Sequence, residues 1–211
     1  MKKNEQFVIT INREVGSGGR TVGRKLAERL NVKYYDKALV EGLTSKYGLT
    51  LEQIERLKAS KGSWWQDFNL FYRSFRGKPS GDSGEEGKPT TASMFETERR
   101  ILEELASQES CVIAGRTTFL VFRDWPHHVS VFIQASMQHR IERIMERQGL
   151  TMAHALDVIE KLDADRETYI KKYSDKSRYD TRNYQLVLSM DELSEDAAVD
   201  VIMAYLEGVG I

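Results

Sequence analysis

The chain has 211 residues, of which 40% are hydrophobic and 30% are charged, and its formal net charge at pH 7 is −1. This length suffices for one α/β domain with a full core and a small inserted subdomain, and the balanced charge gives no support for nucleic-acid or membrane binding. The single cysteine, Cys111, excludes an intrachain disulfide and a zinc site made of cysteines alone, and we expect it to be buried. The apolar run FVITI near the N-terminus is too short for a signal peptide or a membrane span, so the sequence predicts a cytoplasmic protein.

Short apolar runs alternate with helical patterns along most of the chain. The predicted strands span residues 7–11, 32–36, 111–115, 129–135 and 184–190. The predicted helices begin at Arg20 and span residues 37–47, 94–108, 136–148, 151–173 and 192–206, and a capping-box pattern starts at Thr50. Such alternation is typical of a mostly parallel sheet with helices on both faces.

Residues 60–91 differ in composition from the rest of the chain. The text GSWWQDFNLFYRSF is aromatic-rich, and RGKPSGDSGEEGKPTT after it is rich in glycine and contains two prolines. The second half is typical of a mobile loop. The aromatic half fits a small helix packed on the domain, and a lid, a substrate-facing surface or a dimer contact is the alternative.

The text GSGGRT follows the first predicted strand and precedes a helix. Backbone N–H groups in such a loop point at a bound anion, and the helix dipole favours negative charge there. A tight turn without a ligand is the alternative. The chain lacks GxxxxGK[ST], because Gly19 stands near the place of the lysine. Arg20 could supply that cation to phosphates, or it could be a solvated residue of the first turn.

Several stretches in colinear order resemble one family. ITINREVGSGGRTVGRKLAERLNVKYYDKALV is similar to the opening of the cytidylate kinase-like family of P-loop nucleoside monophosphate kinases. CVIAGRTTFLVFRDWPHHVSVFIQASMQHRIERIMER, KLDADRETYIKKY and DTRNYQLVLSMDEL resemble the GRD-containing stretch, the D-x-x-R lid segment and the final strand of these kinases. The resemblance covers most of the chain outside about residues 60–91.

The resemblance implies a P-loop NTPase-type three-layer αβα fold with a five-stranded, mostly parallel sheet. It implies one kinase-like domain over residues 1–211. Residues 37–108 would form an acceptor-binding helical insertion that includes a mobile loop near 76–91, and residues 149–180 would form a lid-like segment.

The family also implies that ATP donates its γ-phosphoryl group to a nucleoside monophosphate, with Mg²⁺ held through ATP and Thr21 and no other certain metal ligand. By position, the donor-phosphate residues are Gly16, Ser17, Gly18, Gly19, Arg20 and Thr21. The acceptor-binding residues are Asp36, Lys37, Arg100 and Arg116. The residues expected to act in catalysis are Arg20, Arg143, Asp163 and Arg166. In the D-x-x-R lid segment, the resemblance implies that Asp163 helps to recognise the acceptor and that Arg166 stabilises the transferring phosphoryl group.

Several of these residues have a simpler interpretation. Arg140, Arg143 and Arg147 share one helical face, which could be a solvated stripe balanced by neighbouring glutamates. Asp163 and Arg166 could form a surface ion pair, and Asp36 could cap the helix after it. The histidines, which are His127, His128, His139 and His154, lack the spacing of a metal site and are interpreted as structural or surface residues.

Three functions are compatible with these observations. The leading hypothesis is an ATP-dependent kinase for CMP or a related small acceptor, acting on small molecules without nucleic acid or membrane, as a monomer or a homodimer. The rival is a nucleotide-binding regulator or sensor with little kinase activity, which the missing lysine favours, as do Ala114 and Thr117 where bacterial cytidylate kinases carry aspartates. A kinase for a non-nucleotide metabolite is the third.

Overall fold

The structure, a computed structural model, describes residues 6–36, 91–115 and 117–211. The helix predicted at 37–47, the capping box at Thr50 and the aromatic stretch lie outside the described residues, as does almost all of the loop predicted near 76–91.

The described ranges alternate strands and helices, as the sequence predicts. The strands are β1 (Val8–Arg13), β2 (Lys33–Asp36), β3 (Cys111–Ala114), β4 (His128–Gln134) and β5 (Leu186–Ser189). The helices of the described ranges are α1 (Gly19–Leu30), α2 (Thr91–Gln108), α3 (Thr118–Val121), α4 (Met137–Gln148), α5 (Met152–Tyr173) and α6 (Glu195–Val209), with a 3₁₀ turn at Thr181–Asn183. Helix α3 and the 3₁₀ turn were not predicted, since each spans less than two helical turns and shows no periodicity.

The five strands form one sheet in the order β2-β3-β1-β4-β5. All four pairings among them are parallel, with Ile11 opposite Ala114 and Asp36 opposite Ala114 on the other side. The parallel α/β fold predicted from the sequence is therefore confirmed. Parallel strands end at the same edge of the sheet, so Arg13, Asp36, Ala114 and Gln134 meet there.

Helices α1 and α6 cover one face of the sheet. Ile9 and Ile11 of β1 pack in a fully buried cluster with Leu26 of α1 and Ile202 of α6. On the opposite face, Phe132 packs with side chains of α3 and α5. The side chains of a strand alternate between the two faces, so the apolar runs bury both. Cys111 is fully buried, as predicted.

Local capping residues set where several helices begin. The hydroxyls of Ser136, Thr151 and Ser194 accept from the N–H groups of His139, His154 and Ala197 at the starts of α4, α5 and α6. Each bond satisfies one N–H that the first helical turn leaves without an intrahelical acceptor.

The chain divides into two compact units. One comprises Met1–Lys37 and Leu102–Ile211 and contains the whole sheet, and the other is Ala38–Ile101. None of the helices within the described ranges combines the length and hydrophobicity that crossing a bilayer requires.

Candidate functional site

The loop between β1 and α1 has the backbone shape of an anion-binding turn. Gly16 and Gly18 have positive φ angles of 84° and 85°, which residues with a side chain rarely adopt. The N–H groups of Thr21 and Val22 donate to the Gly18 carbonyl at 2.9 and 3.2 Å and close the first turn of α1. The loop therefore lies against the N-terminus of a three-turn helix, where the helix dipole is positive.

Gly19 has no room for a side chain. A Cβ atom at this position would lie 2.6 Å from Cβ of Arg13 and 3.3 Å from Cβ of Ile133. A lysine therefore cannot stand here without displacing β1, so a cation at this loop must come from another position.

Ser17 contributes to the internal structure of the loop. Its side chain is fully buried, and its hydroxyl lies 3.0 Å from the Glu14 carbonyl and 3.1 Å from the Ile133 carbonyl, to which it donates. The hydroxyl has one proton, which these carbonyls share. A phosphate role for the Ser17 hydroxyl stays a prediction.

Two arginines of α4 reach the head of α1. Nη2 of Arg143 and Nη2 of Arg147 each lie 3.5 Å from Oγ1 of Thr21. The Arg143 guanidinium carbon also lies 3.4 Å from the place where a Cβ of Gly18 would be. The stripe of arginines thus delivers two positive charges to the face of the glycine loop.

Glu195, in the first turn of α6, is the counter-ion of this pair. Its carboxylate forms an ion pair with Arg143 and lies 3.6 Å from Nη2 of Arg147. Burial lowers the pKa of Arg147 from its usual value, and the neighbouring Arg143 guanidinium lowers it further, while Glu195 acts in the opposite direction. The carboxylate therefore offsets part of the repulsion between two guanidinium groups held close together.

Arg20 points toward Asp36. Its Nε lies 2.7 Å from Oδ2 of Asp36, and Nη2 of Arg13 lies 3.9 Å from the same oxygen. Because β3 lies between β1 and β2, the contact from Arg13 spans the small residue Ala114. The structure thus brings together Arg20, which was predicted to bind the donor phosphates, and Asp36, which was predicted to bind the acceptor.

Tyr34 lies on the same face of β2 as Asp36, two residues away. Its hydroxyl is buried and finds no hydrogen-bond partner among the residues that the structure describes. Burial raises the pKa of Tyr34 to about 12, and Asp36 adds to the rise. The hydroxyl is therefore a neutral donor beside the Arg20–Asp36 pair.

Asp163 and Arg166 of α5 also lie at this edge of the sheet. Oδ1 of Asp163 is 3.3 Å from Nη1 of Arg166 and 3.2 Å from the N–H of Val15. Asp163 is only 6% exposed, so the pair is not a surface ion pair. Arg140 is equally buried and bonds Asp163, so the solvated-stripe interpretation is wrong for Arg140.

For three predicted acceptor residues, the role in acceptor binding stays a prediction. Lys37 and Arg116 lie outside the described residues. Arg100 is exposed on α2 and belongs to the unit Ala38–Ile101.

Four residues of this region were not predicted from the sequence. Arg13 and Glu14 lie in the loop text without a predicted role, although a charged pair at a strand end beside a glycine loop is a usable signal. Arg178, whose Nη1 lies 3.0 Å from Oδ1 of Asp163, and Glu195 carry no such signal, because only the packing of α6 and of the segment after α5 brings them to the loop.

The fit of a magnesium nucleotide to these residues can be tested from the donor atoms. Mg²⁺ in kinases is held by one or two protein oxygens together with substrate phosphates. Thr21 supplies one hydroxyl, and the described residues contain no group of three or more histidine, cysteine or acidic side chains suited to a metal. With Thr21 as its one protein ligand here, a Mg²⁺ ion would have to bind together with the phosphates of a nucleotide.

Comparison with known proteins identifies relatives over nearly the whole chain. The model of the cytidylate kinase-like family matches residues 8–192. The cytidylate kinase of Staphylothermus marinus is 23% identical over 210 residues, covering 95% of this chain and 96% of that protein. The cytidylate kinase of Pyrococcus furiosus is 24% identical over 203 residues, covering 95% of this chain and 88% of that protein.

Solved structures show the same fold. An uncharacterized protein from Eubacterium ventriosum superposes with a TM-score of 0.70 at 24% identity, covering 96% of this chain and 99% of that chain. Shikimate kinase from Bacteroides thetaiotaomicron superposes with a TM-score of 0.51 at 16% identity, covering 95% and 98%. With a glycine loop at the head of α1 and a family match that spans the whole sheet, the chain belongs to the cytidylate kinase-like family.

Proposed function

We propose that this protein is an ATP-dependent phosphotransferase whose acceptor is a nucleoside monophosphate, CMP or a related small molecule. Family membership supports a kinase of nucleotides or small molecules. The observation that carries the proposal is the convergence of Arg143 and Arg147 on Thr21 beside the glycine loop. Phosphoryl transfer depends on positioning and positive charge more than on covalent chemistry, and this arrangement supplies both.

The donor phosphates would be held by the loop, by the hydroxyl of Thr21 and by backbone N–H groups at the head of α1. In this proposal, Arg143 and Arg147 together supply the positive charge that a P-loop lysine gives other kinases. Arg20 would act between the two substrates, since it lies in the donor loop and pairs with Asp36. Mg²⁺, when bound with ATP, would neutralise charge on the transferring group, with Thr21 as its protein ligand.

The acceptor would bind on the Asp36 side of the loop. Asp36 is 2% exposed and lies at the edge where the strands end, beside the neutral hydroxyl of Tyr34. Lys37, Arg100 and Arg116 are proposed to contribute to acceptor binding from the positions that match the family's motifs. The insertion over residues 37–108, the lid-like segment over 149–180 and a cytoplasmic location belong to the same proposal.

One observation favours a second function, a nucleotide-binding regulator with little kinase activity. Since a Cβ at Gly19 would collide with Arg13, the loop cannot carry the lysine that bridges donor phosphates during transfer. Such a protein would still bind ATP through the loop and the two arginines of α4.

An ADP-release assay over a panel of nucleoside monophosphates and small non-nucleotide hydroxyl compounds distinguishes these functions, with ATP binding measured in parallel. We expect turnover with one pyrimidine monophosphate well above the background ATPase rate. ATP binding with no turnover for any compound of the panel would contradict the kinase and leave the regulator. Turnover only with a non-nucleotide hydroxyl compound would retain the kinase and replace the acceptor.

A further inference from the structure

A buried ionic cluster surrounds the first half of the donor loop. At its centre is Asp163, 6% exposed, whose carboxylate accepts from Arg140, Arg166 and Arg178 and from the N–H of Val15. The separations are 3.0 Å to Nη1 of Arg178, 3.3 Å to Nη1 of Arg166 and 3.2 Å to the nitrogen of Val15. A carboxylate that accepts several charge-assisted bonds in the interior is held in one geometry.

The same arginines also bond the backbone of the loop. Nε of Arg140 donates to the Val15 carbonyl at 2.8 Å, and Nη1 of Arg166 donates to the Arg13 carbonyl at 3.2 Å. Nη2 of Arg178 donates to that Arg13 carbonyl as well. Side chains from α4, α5 and the segment after α5 therefore bond the backbone where β1 turns into the loop.

Glu14 joins the loop to the end of β4, the strand that lies beside β1. Its carboxylate lies 3.2 Å from Nη1 of Arg140 and accepts from the N–H of Ala135 at 3.1 Å. Within the cluster, two carboxylates face three guanidinium groups. One positive charge remains beside the loop, which suits a loop that binds an anion.

Arg178 is itself rigidly held. It is 2% exposed, and its guanidinium lies 5.1 Å from the ring centre of Tyr179 and 5.8 Å from that of Phe132. Its carbonyl accepts from the hydroxyl of Tyr184 at 2.7 Å. Arg178 is therefore a fixed part of the fold, at the end of the segment for which the family resemblance implies a lid.

We propose that Asp163, together with Arg140 and Arg178, is a positioning residue that holds the backbone of Arg13 to Gly16 in its phosphate-binding shape. The resemblance implies contact with the acceptor for Asp163, whereas here its oxygens are engaged by the loop and by arginines. Gly16 supports this role, since a Cβ there would lie 2.7 Å from the Arg140 carbonyl and the loop thus packs directly on α4. The inference rests on the proposed function for its affinity and kinetic readouts, and hydrogen exchange at Val15 tests it independently of that function.

The first test is nucleotide binding without an acceptor. Asp163→Asn and Arg178→Lys are compared with wild type for ADP affinity by calorimetry, and Arg182→Gln serves as the control. Arg182 is 88% exposed in its side chain and pairs with Asp180 rather than with the loop. We expect Kd for ADP to rise about tenfold in both test variants and to stay unchanged in the control. In Arg178→Lys the reason is that a lysine cannot bridge two acceptors as the guanidinium fork does.

The second test is amide hydrogen exchange at Val15, whose N–H donates to Asp163. We expect faster exchange in both test variants relative to wild type and Arg182→Gln, with circular dichroism confirming that each variant is folded. Should Asp163→Asn fail to fold, Arg178→Lys gives the decision alone. Unchanged Val15 exchange together with unchanged ADP affinity would overturn the proposal.

Kinetics then separate this role from contact with the acceptor. If turnover is found, positioning predicts weaker ADP and ATP binding with an acceptor KM within about twofold of wild type. A raised acceptor KM with unaltered ADP affinity would instead assign Asp163 to the acceptor and contradict the inference. If no acceptor is found, the proposed kinase function fails, yet ADP affinity and Val15 exchange still decide the role of Asp163.

Discussion

Gly19 and Arg20 show how one residue position changes the chemistry of the loop. The sequence predicted the loop and the missing lysine, and it assigned the replacement charge to Arg20. The structure pairs Arg20 with Asp36 at 2.7 Å and brings Arg143 and Arg147 to Thr21. The role of Arg20 at the phosphates stays a prediction.

Adding a methyl group at Gly19 tests the steric reason for the missing lysine. We expect Gly19→Ala to lower the free energy of unfolding by about 1–3 kcal/mol, since its Cβ would lie 2.6 Å from Cβ of Arg13. Gly208→Ala is the matched control, because a Cβ at Gly208 on α6 meets nothing within 4 Å. Urea unfolding measures both, and an equal effect of the two substitutions would contradict this account.

His128 is a half-buried base that predicts a pH effect on stability. Its Nε2 lies 2.8 Å from the hydroxyl of Thr10, and burial lowers its pKa to about 4. An unfolded histidine titrates near 6.5, so the unfolded chain takes up this proton first as the pH falls. Stability from this group is complete above pH 6.5 and decreases between pH 6.5 and pH 4, by about 2 kcal/mol from pH 7 to pH 5.

Urea unfolding of His128→Gln at pH 7 and pH 5 checks this effect. We expect the variant to lose less stability than wild type over that interval. His154→Gln, at an exposed position, should keep the wild-type pH dependence. Parallel curves for wild type and His128→Gln would show that the His128 ring does not titrate as stated.

At the scale of elements, helix α4 is where the roles predicted from the sequence and the observed side-chain contacts differ most. Spacing placed Arg140, Arg143 and Arg147 on one face, and that face packs against the loop and α6. The three arginines then separate in function, since Arg140 bonds the loop backbone while the other two approach Thr21. Periodicity identifies a shared face but not the element that covers it.

The arginines of α4 are expected to control nucleotide affinity. Replacing Arg143 and Arg147 with alanine should raise Kd for ATP about 10- to 100-fold, because each loses a charge-assisted contact with phosphate. The control is Arg29→Ala on α1, whose guanidinium pairs with Asp200 at 3.0 Å. Titration calorimetry measures both, and unchanged affinity in the double variant would remove these residues from the donor site.

The whole molecule should be stabilised by its nucleotide. A ligand at 100 times its Kd that binds only the folded state adds about 2.7 kcal/mol to the free energy of unfolding. For a chain of this length, that corresponds to a rise in Tm of about 5–10 °C. We expect this shift with ADP and Mg²⁺ in thermal unfolding, and a smaller one when Arg143 and Arg147 are replaced by alanine at the same ligand concentration.

Much of the fold could be predicted from the sequence, since its patterns are local. Each predicted strand and helix in the described ranges is present, with boundaries that differ by up to three residues. Thr151 caps α5 through such a local contact, because its hydroxyl accepts from the N–H of His154 three residues away. The brief helix α3 and the 3₁₀ turn escaped prediction because their contacts, rather than any periodicity, determine them.

The sequence by itself determined the order of elements, the parallel α/β architecture, the glycine loop and the family, all of which depend on local patterns and colinear motifs. Only the tertiary structure decided how the charges are paired. It paired Arg20 with Asp36 and buried Asp163 among three arginines. It also placed Glu195 in ion pairs with Arg143 and Arg147. The reason is that each pairing joins residues of different elements, and electrostatic energy depends on distances that only packing sets.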